Sequence, residues 1–210
     1  MSTAGLEKAV TIRLKADGLA LEAVFTAGAD GDLGVVIAPP HPLYGGSIDS
    51  PVVGELTQAF GNAGIGSLRF NWRGVGDSAG ETSGESAAAD SDYAAALAHV
   101  EESVSGRIVA AGYSFGAAAA LRASSGHARV DRVVLVSPPP TLIDAEVLAD
   151  FSGTLLIVAG DRDRFAPEVQ LRAIAEAAGR VQLVMVPGAD HFYASGLAEI
   201  GRAVSGWLET

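Results

Sequence analysis

Several short runs of this chain, among them Val133-Val134-Leu135-Val136 and Leu155-Leu156-Ile157-Val158-Ala159, are apolar at every position. A strand of that kind must be covered on both faces, which is the condition of a central strand in a parallel sheet. Eight strand candidates recur at 10–14, 21–25, 33–38, 67–71, 107–111, 132–136, 155–159 and 182–186. Between them lie Ala-rich or amphipathic stretches of helical length at 53–63, 85–104, 115–124, 168–178 and 197–208. Lys15-Ala16-Asp17-Gly18 reads as a hairpin-like turn, so the chain begins antiparallel and βα units follow. The pattern predicts an α/β fold: a mostly parallel, doubly wound sheet of about eight strands with helices on both faces. With 210 residues and neither an internal repeat nor a low-complexity linker, the expectation is a single domain over 1–210.

Composition removes several functions. There is no cysteine, so disulfides and thiolate chemistry are out and a reducing compartment is the simplest setting. A net charge of −11 argues against a nucleic-acid backbone as partner. Four histidines without metal-ligand spacing predict no metal, and no cofactor motif appears. The opening MSTAGLEKAV lacks a basic flank followed by an apolar core, and no run is long enough to span a membrane. A cytoplasmic monomer or homodimer acting on a small molecule is expected.

Chemistry concentrates first in residues 107–124, where an apolar strand runs into Gly112-Tyr113-Ser114-Phe115-Gly116 and then directly into an Ala-rich helix. That is the strand–turn–helix context of a nucleophile elbow, in which flanking glycines relieve the crowding around a strained serine. A second match, Gly76-Asp77-Ser78-Ala79-Gly80, leads into polar residues rather than a helix and reads as a turn.

A serine hydroxyl needs a base, and elbow hydrolases carry Ser, acid and His in that chain order. His41 and His99 precede Ser114, and His127 follows it too closely. His191, just past the last predicted strand, is the candidate base. Asp161 and Asp163 both fall at the same sheet edge after an apolar strand, and spacing leaves the choice between them open; Asp190 is a poorly placed third. For the oxyanion, Phe115 N–H is one expected donor. The other comes from the loop after the third strand, where prolines 39, 40 and 42 have no N–H, leaving His41 or Leu43, with His41 favoured.

These segments resemble the α/β-hydrolase superfamily, and within it the small, cap-free bacterial serine hydrolases with HPHPLYGG, RGxGxSxG, GxSFG and GADHFF-type motifs. Here they read PPHPLYGG, RGVGDSAG, GYSFGA and GADHFY, in order between Val35 and Tyr193. The resemblance implies a carboxylesterase-like enzyme acting on an ester or thioester, without a cap domain, since 137–152 is too short to hold one. The acid followed four residues later by proline points to Asp163, because Pro167 stands at that spacing. Pro39 replaces the loop's first histidine and Tyr193 the motif's terminal phenylalanine. Tyr44, Phe165, Phe192 and Tyr193 are the expected pocket walls. Rival readings are a non-catalytic binding protein on this fold, or a peptidase or C–C hydrolase.

Overall fold

The computed structural model describes residues 6–29 and 31–210; the first five residues of the segment read above for a signal peptide lie outside them. One eight-stranded sheet runs through the molecule: β1 (Glu7–Arg13), β2 (Ala20–Thr26), β3 (Gly34–Ala38), β4 (Gly66–Phe70), β5 (Ile108–Tyr113), β6 (Val130–Val136), β7 (Thr154–Gly160) and β8 (Val181–Val186). Their order across the sheet is β1-β2-β4-β3-β5-β6-β7-β8. β2 pairs antiparallel with both β1 and β4, and every other pair is parallel. The antiparallel start and the later βα units agree with the sequence reading.

Among the described residues the α-helices are α1 (Pro51–Asn62), α2 (Ser86–Ser103), α3 (Phe115–Ser124), α4 (Ala145–Asp150), α5 (Glu168–Ala178) and α6 (Leu197–Leu208). Successive strand residues feed opposite cores, as the doubly apolar runs require. Val134, Val136, Leu156 and Val158 pack under α1 and α6, whereas Val133, Leu135, Leu155 and Ile157 pack under α2, α3 and α5. Helix α1 starts on Pro51, whose missing N–H costs nothing in a first turn, and buries Val52, Val53, Leu56 and Phe60 on one face. In α6, Ile200, Val204 and Trp207 recur at helical spacing and are buried. The six-residue α4, capped by Asp144, went unread in the sequence because it is too short to show a period. Residues 137–152 hold this helix and one 3-10 turn, Pro140–Leu142, and no cap domain.

Strands β3 and β5 are neighbours, but the chain leaves β3 toward β4 and leaves β5 toward β6. Their carboxyl ends therefore face a crevice where connections diverge, the usual ligand position in an open α/β sheet.

The loop after β4 is fixed by polar contacts that no local pattern announces. Arg73 forks onto Asp92 of α2 at 2.7 and 3.0 Å, and its N–H also donates to that carboxylate at 3.0 Å. Asp92 is 1% exposed and Arg73 21%. Ser78, the serine of the second glycine motif, donates to the Asn71 carbonyl and accepts the Glu22 N–H, which makes it a structural tie. Asp92→Asn should lower the unfolding free energy by roughly 3 kcal/mol, the cost of leaving a mostly buried charge without its partner. Urea denaturation measures it, and an unchanged midpoint would show the pair to be dispensable.

Candidate active site

The turn from β5 into α3 puts Ser114 at φ 55° and ψ −117°, a conformation that L-residues avoid. Its neighbours explain how the strain is tolerated. A Cβ on Gly112 would overlap the Gly116 carbonyl, and one on Gly116 would overlap the Pro39 carbonyl oxygen and lie 2.7 Å from that of Ala38. Glycine at both positions lets backbone touch backbone, so the elbow can form and α3 can press against the end of β3.

Ser114 Oγ lies 3.0 Å from His191 Nε2. On the other side of the ring, His191 Nδ1 is 2.8 and 3.0 Å from the two Asp163 oxygens. The three residues, in the order Ser114, His191 and Asp163, are 8%, 8% and 5% exposed and form one line of hydrogen bonds. Nδ1 facing a carboxylate fixes the proton there and leaves Nε2 free to accept from the serine. The His191 loop is anchored from below, since the Tyr113 hydroxyl donates to the His191 carbonyl at 2.7 Å.

Asp163 Oδ1 also accepts the N–H groups of Phe165 and Ala166 at 2.8 and 2.9 Å. Burial by itself would raise its pKa. Hydrogen bonds from His191 and Ser137, the nearby imidazole and the Ala166 N–H outweigh it, so the carboxyl is held below its ordinary value. Asp161 is engaged elsewhere, its carboxylate accepting the Gly188 N–H at 2.7 Å and so tying down the loop after β8. Asp190 caps Phe192 and Ala194 N–H. Of the three candidate acids, the structure brings Asp163 to the imidazole.

Phe115 is the first residue of α3, so its N–H has no acceptor within the helix. The His41 N–H donates to no protein acceptor among the described residues, whereas the Leu43 N–H turns back onto His41 Nδ1 at 3.2 Å. Leu43 therefore leaves the expected donor set, because its N–H is already used. The His41 ring packs at a tilt against Phe115 and Tyr44, with ring centroids 4.7 and 4.8 Å apart. Burial lowers its pKa, and its Nδ1 is the acceptor of the Leu43 N–H.

A cavity of about 740 Å³ opens over Ser114, within the range of small-molecule sites. Tyr44, Phe165 and Phe192 line it as expected, joined by Val52, Pro139 and Leu142, which sequence reasoning missed. Pro139 and Leu142 come from the short link after β6, whose apolar residues gave no period to read. Tyr193 is a correction. It is 4% exposed, and its hydroxyl meets Ser137 at 3.0 Å and the Val158 carbonyl at 3.3 Å. Its φ of 53° turns the ring down into the core beside Tyr113 instead of onto the pocket wall. Ser137, itself buried at φ 45°, carried no signal in sequence. No cluster of three or more His, Asp or Glu side chains that could hold a metal exists among the described residues, and none of the described helices is long and apolar enough to cross a membrane.

Residues 76–204 match the profile of the dienelactone hydrolase family. An uncharacterised protein of Rickettsia prowazekii is 25% identical over 185 residues, covering 83% of this chain and 78% of that one. A solved structure from Coxiella burnetii, described as an α/β serine hydrolase homologue, is 28% identical with a TM-score of 0.85, covering 99% of this chain and 98% of its own. Another from Xanthomonas campestris, described as an α/β serine hydrolase without lid, has 23% identity and a TM-score of 0.81, with coverage of 97% and 94%. The fold is thus the cap-free α/β-hydrolase fold.

A depressed folded-state pKa means that Asp163 contributes stability fully above the unfolded carboxyl value of about 3.9. That contribution disappears as pH falls through the lower folded value. Asp163→Asn cannot show this dependence, so its urea midpoint should change less than the wild type's between about pH 5 and about pH 2.5. Equal acid slopes would mean that the carboxylate gains nothing from its partners.

Proposed function

Since the chain belongs to the dienelactone hydrolase family, we propose that this hydrolase cleaves small, uncharged carboxylic esters or thioesters through an acyl-enzyme on Ser114. The observation that supports the reading best is the unbroken line from Ser114 Oγ through His191 to Asp163, at 3.0 and 2.8 Å. The chain has no cysteine, so a thiolate nucleophile is not available.

In this mechanism His191 Nε2 takes the hydroxyl proton as Ser114 Oγ attacks the carbonyl carbon. Asp163 stays ionised and stabilises the imidazolium without accepting its proton. The negative oxygen that forms is held by the N–H groups of Phe115 and His41, with the amino end of α3 adding a favourable dipole. Collapse breaks the bond to the leaving oxygen or sulfur, which receives the proton from His191. Water then repeats the sequence, the same imidazole acting as base, and releases the acid and the free serine.

Substrate charge follows from the walls. The cavity over Ser114 is lined by Tyr44, Val52, Leu142, Phe165 and Phe192, with no lysine or arginine among its lining residues. A carboxylate on the acyl group would lose hydration there without gaining a counter-ion. The chain's charge of −11 adds a general repulsion.

Ser114→Ala should abolish fluorophosphonate labelling and hydrolysis of p-nitrophenyl butyrate; undiminished labelling would refute the nucleophile. Asp163→Asn should reduce kcat by about three to four orders of magnitude, the effect of losing the tautomer-fixing acid, while Asp161→Asn leaves kcat largely intact. The reverse order of losses would move the acid to Asp161. Among matched aryl-propionyl esters, one bearing a terminal carboxylate should show at least roughly tenfold lower kcat/KM than its neutral counterpart, from the unpaired buried charge. Equal values would remove charge as a selection rule.

A further inference from the structure

The oxyanion site proposed above uses two backbone N–H groups, and they are supported very differently. Phe115 N–H is fixed by the helix it begins. His41 N–H belongs to an irregular loop between Ala38, the last residue of β3, and the 3-10 turn at Pro42–Tyr44. Pro39 and Pro40 have no N–H of their own, so the two residues before His41 offer no backbone donors to fix them, whereas beyond it the His41 carbonyl accepts the Tyr44 and Gly46 N–H groups.

The tie comes from Trp72. Its indole N–H donates to the Pro40 carbonyl at 2.9 Å and is shared with the Pro39 carbonyl at 3.2 Å. All peptide bonds among the described residues are trans. In a trans peptide the C=O and the following N–H point in opposite directions. Holding the Pro40 oxygen on one side therefore fixes the direction of the His41 N–H on the other. Gly46 keeps the approach to that oxygen clear, because a Cβ there would overlap the Pro40 carbonyl.

Trp72 is itself held from three sides. The ring, 2% exposed, lies edge-on to Phe70 at 4.9 Å and to Phe115 at 5.7 Å. Its chain neighbours are pinned by the Asn71 N–H to the Glu22 carbonyl and by the Arg73 fork onto Asp92. A single residue thus touches Phe115, the carrier of one donor, and sets the peptide plane of the other.

We infer that Trp72 is a positioning residue for the oxyanion site, acting through the Pro40–His41 peptide. The inference rests on the acyl-enzyme reading above.

Trp72→Phe keeps most of the ring and removes the donor. Activity on p-nitrophenyl butyrate should fall about ten- to a hundredfold in kcat, below the roughly hundred- to thousandfold cost of deleting an oxyanion donor outright. KM should stay within about twofold, because the ground-state ester gains little from that donor. Affinity for a boronic acid, which becomes a tetrahedral anion on the serine, should fall in proportion to kcat/KM. Unchanged kcat, or a loss seen in KM with boronate affinity intact, would overturn the assignment. Should the variant not fold, replacing tryptophan throughout with benzothienylalanine supplies the same readouts. Trp72 is the one tryptophan whose indole N–H is hydrogen-bonded among the described residues. If the wild type resists fluorophosphonate labelling, the acyl-enzyme reading fails and this inference with it. If the wild type is labelled and Trp72→Phe turns over equally fast, this inference alone fails.

Discussion

The structure depends most on one backbone-to-backbone contact, where Gly116 in the first turn of α3 lies against the carbonyls of Ala38 and Pro39 at the end of β3. A side chain at that glycine would push the helix away from the sheet. The contact joins the two strands at whose carboxyl ends the connections diverge, so it brings the strained serine and the proline-rich loop to one crevice. Ser114 can hold its positive φ because this packing surrounds it. Strain at the nucleophile and closeness of helix to sheet are two results of one glycine pair.

Around that contact the molecule separates apolar from polar duties. The apolar runs of the central strands send their side chains into one of two cores and have none left for chemistry. The groups proposed to react all stand on turns just beyond strand ends: Ser114 after β5, Asp163 after β7 and His191 after β8. Beneath them lies a small layer of buried hydroxyls, Tyr113, Ser137 and Tyr193, which hold the His191 carbonyl, the surroundings of Asp163 and each other. Burial pushes the Tyr113 and Tyr193 phenols well above their usual range, so this layer stays uncharged while the carboxylate above it stays charged.

Sequence legibility followed the range of the interactions. Strands such as β6 and β7 were readable because runs apolar at every position admit little else, and the long helices because their buried faces recur at helical spacing. The six residues of α4 are too few to show a period. The acid was ambiguous because Asp161 and Asp163 occupy the same sheet edge, and what separates them is the reach of a loop from β8, a contact about thirty residues away in sequence. Tyr193 was misplaced for a related reason: its direction is set by the turn following His191, and a side chain's identity says nothing of the backbone angle beneath it. Trp72 left no local trace, and Arg73 stood in the RGVGDSAG motif with nothing near it in sequence to name Asp92 as its partner.

Tyr44, Phe165 and Phe192 stand exposed around Ser114, and the link between β6 and β7 supplies a wall but nothing that folds over them. Entry therefore demands no closing motion, and the site forgoes the dehydration that closure would give. Under the proposed mechanism, an acyl group on Ser114 would wait at a greasy mouth open to any small hydroxylic molecule. In an alcohol-rich medium such a geometry favours transesterification alongside hydrolysis, so solvent composition, more than any moving part, would decide where the acyl group goes.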